Sequence, residues 1–377
     1  MHRRIPSTSP TEENPSAWRT WLARRLRPWF KRHQRELPWR RDRDPYRIWV
    51  SEVMLQQTQV ATVIPFFEEF LRAFPTVNDL AAAKEQDVLR RWEGLGYYRR
   101  ARDLHRAARA IVTNHDGQFP KDPEVLGRLP GLGRYTRNAV LSQAFDCRLP
   151  ILEANSQRVL SRLFGRAEDP RQGPARRWLW QAAEDILPAR NVGAFNQALM
   201  ELGALICTPS APRCSECPLA ARCVARQLGK QESIPARAAP PQTIDIQEAA
   251  IVVRRGAEVL LVQRPSSGRW AGLWEFPHGP LVTGESHEAA ASRLLHQLTG
   301  LHGKLGSELL TIRHGIMHYR IALTCFEAEY VGGDFQSEFY IEGRWLSLAN
   351  LAAYPVSSPQ RRLARFLLSP CRQRRLF

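Results

Sequence analysis

The sequence predicts a multidomain chain, with an all-helical domain over residues 16–225 followed by an α+β domain over residues 243–377. Three observations carry this. Up to about residue 225 the apolar residues recur at helical spacing. From Arg226 to Gln242 the chain turns polar and holds Pro235, Pro240 and Pro241, the composition of a linker. Beyond it, Glu248 to Val253 and Glu258 to Gln263 are short branched-rich runs divided by Arg255-Gly256, the pattern of a β-hairpin.

A chain of 377 residues with 44% apolar content can hold two domains and a sizeable core. The net charge of +17, nearly all of it Arg, points to a polyanion partner. No apolar run reaches transmembrane length, so no membrane partner is expected. The opening MHRRIPSTSPTEENPS has no apolar stretch after its basic residues, which excludes a secretory signal. Residues 1–15 are expected to be disordered, and the protein to be cytoplasmic and monomeric.

The elements follow in order. Trp18, Trp21, Leu22, Leu26 and Trp29 give Ala17 to Gln34 one apolar helical face. Arg35, Arg40, Arg41, Arg43 and Arg47 then form either a solvated face or a phosphate-facing loop. In SEVMLQQTQV, Ser51 reads as a helix start, which puts Glu52 in the first turn beside the helix dipole. The run Gln56, Gln57, Thr58, Gln59 exceeds what a core-facing helix needs, and amide side chains suit base edges. Residues Phe66 to Arg91 read as helical with a break at Pro75. In WEGLGYYRRARDL, Gly94 and Gly96 bracket a turn, and Tyr97 and Tyr98 lead into an Arg-rich helix. This suits either wedging into a base stack or plain core packing.

LPGLGRYT, Leu129 to Thr136, is a tight turn between a short helix and a longer one. Gly131 and Gly133 leave backbone N–H groups open to a ligand, so the turn fits a phosphate-binding nest as well as an ordinary helix connection. Glu153 stands just before the next helix start, at Asn155, either as a dipole partner or as a second acid. Arg176 to Ile186 and Ala194 to Ile206 are further helical stretches. Cys207, Cys214, Cys217 and Cys223 are crowded enough to hold zinc or an iron–sulfur cluster, and their spacing does not separate the two. In the second domain, Trp270 to Pro277 reads as loop and strand, Ser286 to Leu298 as a helix, and Tyr319 to Tyr330 and Glu342 to Leu348 as strands.

The hairpin turn, the carboxylates and the four-cysteine loop together resemble the helix–hairpin–helix DNA glycosylase superfamily. Within it, SEVMLQQTQV, GLGYY, LPGLGRYT and FNQALMELGALIC are similar to the MutY adenine DNA glycosylase family, from about Trp18 to Leu367. The resemblance implies a base excision repair enzyme acting on double-stranded DNA that carries adenine opposite 8-oxoguanine or guanine. It makes Glu52 the acid that protonates adenine, Glu153 the second carboxylate, and Asn155 a polar helper. Tyr135 occupies the position of the lysine nucleophile in lyase relatives, and a phenol forms no Schiff base, so no lyase step is expected. Gln57 and Tyr97 match residues inserted into the duplex. Leu37, Trp39, Arg40 and Gln197 match the wall of the adenine pocket. The four cysteines match the ligands of one 4Fe–4S cluster.

The C-terminal domain resembles the Nudix-like lesion-recognition domain of the same family. Gly279, Glu285, Arg293, Gly300 and Leu301 fit the Nudix motif, but Leu294, Gln297 and Leu298 stand where its metal-binding glutamates belong. Without those oxygen ligands the domain reads as a binding module. Two departures stand out. Glu153-Ala154-Asn155 replaces the family's D-G-N, and Ile316-Met317-His318 keeps only the His of its F-S-H loop. They motivate a rival reading, a weakened relative that binds mispairs with altered preference for the opposing base.

Overall fold

The computed structural model describes residues 15–236 and 242–369. The N-terminal stretch expected to be disordered lies outside the described residues up to residue 14, as does the linker from 237 to 241.

In chain order the helices are α1 (Pro15–His33), α2 (Pro45–Leu55), α3 (Val60–Ala73), α4 (Val77–Ala82), α5 (Glu85–Arg91), α6 (Arg99–His115), α7 (Pro123–Gly127), α8 (Arg134–Phe145), α9 (Ala154–Phe164), α10 (Gly173–Asp185), α11 (Val192–Leu205) and α12 (Val224–Gln227). Strands β1 (Ile244–Arg255), β2 (Glu258–Gln263), β3 (Trp274–Glu275) and β4 (His278–Pro280) precede α13 (His287–Thr299). Then come β5 (His302–Ile316), β6 (Tyr319–Gly332), β7 (Glu342–Ser347) and α14 (Ser358–Leu367). Among the described residues no helix is long and apolar enough to cross a membrane.

Packing divides the chain into two compact units, one within Met1–Asn78 and Arg106–Ala239, the other within Asp79–His105 and Pro240–Phe377. In the first unit the apolar face of α1, with Leu22, Leu26 and Trp29 buried, packs on Val159, Leu160 and Leu163 of α9 and on Phe195, Leu199 and Leu202 of α11. The opening of the expected linker is packed as well: Arg162 Nε donates to the carbonyl of Ile234 at 2.9 Å.

Two local expectations are corrected here. Ser51 does not start a helix. The side chain of Asp44 caps α2 by accepting from Tyr46 N at 2.8 Å, and Pro45 takes the first position, where a missing N–H costs nothing. Glu52 therefore lies in the last turn of α2, not the first. The glutamine run is also not helical. Gln56 leaves α2, Gln57 has a left-handed φ of 59°, and Gln59 precedes α3.

In the second unit a mixed sheet has the order β3-β2-β1-β6-β5, with β4 also on β1 and β7 on β2. β1 and β2 pair antiparallel as the hairpin pattern predicts, and β1 and β6 run parallel. One face packs Ala250, Val252, Ile312 and Leu323 against Leu363 and Leu367 of α14. The other packs Ile251, Val253, Leu260 and Phe326 against Ala291, Leu294 and Leu295 of α13. The stretch before α6 belongs to this unit. Arg361 of α14 donates to Glu93 from Nε at 2.6 Å and from Nη2 at 2.8 Å, and the Tyr98 hydroxyl donates to the Val356 carbonyl at 3.1 Å.

Candidate active site

A cavity of about 600 Å³ in the first unit is lined from α2, α8, the start of α9 and α11. It gathers Leu37, Trp39, Arg40, Glu52, Gln57, Tyr135, Glu153, Asn155 and Gln197. These positions are scattered over the sequence, and the fold brings them to one cavity.

Glu52 is 5% exposed. The Tyr135 hydroxyl donates to its Oε2 at 2.6 Å, and Gln143 Nε2 donates to its Oε1 at 2.8 Å. Burial pushes its pKa above the ordinary carboxylate range, while the bonds from Tyr135 and Gln143 and the charge of Arg40 pull the other way. Its place near the C-terminal end of α2 adds to the rise, because the negative end of the helix dipole disfavours an anion. Tyr135 is pushed well above its usual value by burial and by both nearby carboxylates, so its phenol stays protonated.

Glu153 is the N-cap of α9. Its Oε2 accepts from Asn155 N at 2.7 Å and its Oε1 from Ser156 N at 2.8 Å, while the Ser156 hydroxyl accepts from Glu153 N. This capping box uses the longer side chain, which curls back over the helix start. The dipole-partner reading therefore holds, and the same carboxylate also faces the cavity. Burial and the neighbouring Glu52 raise its pKa, against the two backbone N–H donors. Gly203 of α11 allows the close packing here, since a Cβ on it would lie 2.5 Å from that of Asn155.

Arg35 and Arg40 are neither a solvated face nor a phosphate-facing loop, which corrects the expectation for these two. Both bind Glu201 of α11, Arg35 through Nε and Nη2 and Arg40 through Nη2, each at 2.9 Å. Sequence reasoning missed Gln143 and Glu201. Each was visible as a polar residue inside an apolar helical run, four or eight positions from an assigned one: Gln143 shares a face with Tyr135, and Glu201 with Gln197.

Comparison with known proteins bears on this arrangement. Residues 50–185 match the HhH-GPD superfamily of base excision DNA repair proteins, and residues 249–365 match the NUDIX domain. The chain is 34% identical to the adenine DNA glycosylase of Homo sapiens, over 90% of this chain and 72% of that one. It is 33% identical to the adenine DNA glycosylase of Rattus norvegicus, over 92% of this chain and 78% of that one. The chain belongs to the adenine DNA glycosylase family. The solved structure of a thermostable thymine-DNA glycosylase has a TM-score of 0.52 at 27% identity, over 56% of this chain and 98% of that one.

Like the cavity, the cysteine loop of this adenine DNA glycosylase family member lies in the first unit. Cys207, Cys214, Cys217 and Cys223 are unbridged and half-buried. Burial pushes the Cys217 thiol up to about 12, and the three other thiols add to the rise, so the four share one neighbourhood. Arg162 is 2% exposed and hydrogen-bonds the Cys207 sulfur at 3.3 Å and the carbonyls of Thr208, Pro209 and Ile234. None of these partners carries a negative charge, which deprotonated thiols at the four cysteines would supply. Among the described residues no group of three or more His, Cys, Asp or Glu converges as around a single metal ion.

The remaining expected residues lie elsewhere. Gly131 has a left-handed φ of 74° in the turn between α7 and α8, and Gly133 precedes α8 with open space where a side chain would stand. In the second unit Tyr97 has a φ of 48° and is 50% exposed, so both residues expected to enter the duplex, Gln57 and Tyr97, carry strained backbone. Met317 and His318 form the two-residue turn between β5 and β6, where Met317 has a φ of 54° and is 78% exposed. At the Nudix positions Glu285 is taken up by Arg293 at 2.7 Å, and Leu294 and Leu298 pack into the core.

Proposed function

We propose that the protein is a monofunctional glycosylase that hydrolyses the N-glycosidic bond of adenine opposite 8-oxoguanine or guanine in duplex DNA. The observation that carries this is Glu52, a buried carboxyl in a cavity that a second carboxylate also lines. Glycosidic cleavage requires two such groups in contrasting surroundings.

The adenine is extruded from the stack, at a cost of a few kcal/mol that is least at a mispair. Leu37 and Trp39 wall the cavity, and Arg40 and Gln197 offer polar edges to the purine. Glu52 delivers its proton to a ring nitrogen, and the glycosidic bond breaks with its electron pair leaving on the base. The Glu153 carboxylate stabilises the cationic sugar, and Asn155 helps to place it. Water then adds to the anomeric carbon and loses a proton, leaving an abasic site. Tyr135 orients the acid and forms no covalent adduct.

Gln57 and Tyr97 fill the stack, Gly131 and Gly133 present N–H groups to phosphate, and His318 approaches the opposing base. Cys207, Cys214, Cys217 and Cys223 hold a 4Fe–4S cluster that, when bound, fixes their loop and supplies one-electron redox capacity.

Single-turnover adenine release from duplexes carrying 8-oxoguanine, guanine or cytosine opposite tests the reading. Release from the first two is expected; equal release opposite cytosine defeats the mispair assignment. Iron and acid-labile sulfide in the purified protein, roughly four of each per chain, test the cluster.

A further inference from the structure

The cavity wall contains an ion-pair network whose place in catalysis is not obvious from the two carboxylates alone. Glu201 has a side chain 1% exposed, yet it is ionised. Burial alone raises its pKa, but the hydrogen bonds of Arg35 and Arg40 override this and hold it down to about 2. Arg35 N also donates to Oε1 at 2.9 Å, so Glu201 accepts four hydrogen bonds from two residues. Arg40 Nη1 completes the lattice by donating to the Arg35 carbonyl at 3.1 Å. Arg40 is thus fixed in place, and it is the cation acting on Glu52.

We propose that Glu201 is a positioning residue of the adenine-release reaction: it holds Arg35 and Arg40 in the cavity wall and cancels enough of their charge for Glu52 to keep its proton. An uncompensated guanidinium beside a carboxyl favours the ionised form, and a proton donor that has ionised cannot act. The charged and titratable groups facing Glu52 are Arg40 before α2, Tyr135 on α8, Glu153 at the start of α9 and, behind Arg40, Arg35 with Glu201 on α11. Of these, Arg40 pulls the proton away, and Glu201 is the ion-pair partner of both Arg40 and Arg35. The inference rests on Glu52 as the proton donor.

The experiment is single-turnover adenine release against pH for the full chain and three variants, with melting temperatures alongside. Glu201→Gln keeps the volume and one acceptor but removes the charge. Its alkaline limb, where the rate falls as Glu52 ionises, is expected to move down by about one pH unit, with the low-pH plateau largely retained. A uniform loss at every pH with an unmoved midpoint means that Glu201 is only structural, and overturns the proposal. Arg35→Met supplies the opposite arm: Glu201 is left with Arg40 alone, and the limb moves up. If Glu201→Gln does not fold, this arm decides, and a limb that stays or moves down overturns the proposal. Glu52→Gln separates the two claims. Normal release by that variant removes the donor assignment and the inference with it. An inactive Glu52→Gln beside an unmoved Glu201→Gln profile removes the inference alone.

Discussion

The Tyr135 hydroxyl donates to Glu52 Oε2 at 2.6 Å, which joins the helix after the hairpin turn to the last turn of α2. The turn thereby sets the orientation of the acid as well as presenting its glycines. With Gln143 on the other oxygen, both carboxyl oxygens accept a side-chain hydrogen bond.

Glu52→Gln is expected to reduce adenine release by about 10³-fold while leaving duplex affinity unchanged, the scale of losing a positioned proton donor. In the unmutated protein the sign of the pH dependence follows from the raised pKa of Glu52. The rate is fully present while the group is protonated and falls as pH rises through that pKa, above the ordinary range for Glu. A single-turnover pH profile checks both, and a limb at the ordinary carboxylate pKa would sink the assignment.

Substitutions at Glu153 separate its two jobs. Glu153→Gln keeps an acceptor for one of the two N–H groups at the start of α9, so part of the cap is retained while release falls about 10²-fold with the lost charge. Glu153→Ala loses the cap as well and is expected to cost a further ~1 kcal/mol in denaturant unfolding. Equal melting temperatures for Gln and Ala variants argue against the cap.

Met317→Ser at the tip of the β5–β6 turn restores a hydroxyl where only a thioether stands. Discrimination between 8-oxoguanine and guanine opposite adenine is expected to rise about fivefold, the scale of one net hydrogen bond. Competition binding with the two duplexes reads it, and an unchanged ratio refutes a lesion contact at this turn.

Glu93→Ala leaves the guanidinium of Arg361 without its carboxylate, in a pair whose side chains are 9% and 11% exposed. A loss of about 3 kcal/mol is expected, largely recovered in the double variant with Arg361→Met. Calorimetric melting of the single and double variants measures the coupling.

The helical elements were legible because faces such as Leu22, Leu26 and Trp29 keep one period over several turns. Glu52 was assigned through a motif, but the start of its helix was misplaced. Asp44-Pro45 is a stronger start than Ser51, and it lay inside what read as a loop. The pairing of Arg35 and Arg40 with Glu201 was not legible, because partners about 160 positions apart leave no local pattern. Strand β5 was missed for another reason: it buries only Ile312 fully and contains Gly303, Gly306 and Gly315, so it lacks clean alternation. Glu153 was read correctly as a helix-start charge, yet only the hydrogen bonds show that both its oxygens are taken up by backbone amides.

The bonds from Glu93 and Tyr98 to the C-terminal residues bear on how the protein can be divided. An expression fragment ending at the proline-rich segment would carry α5 with Val88, Leu89 and Trp92 intact but stripped of Arg361 and the Val356 carbonyl. Proteolytic nicking within residues 237–241 should therefore yield two pieces that stay associated, and recombination between relatives at that point should exchange incomplete parts.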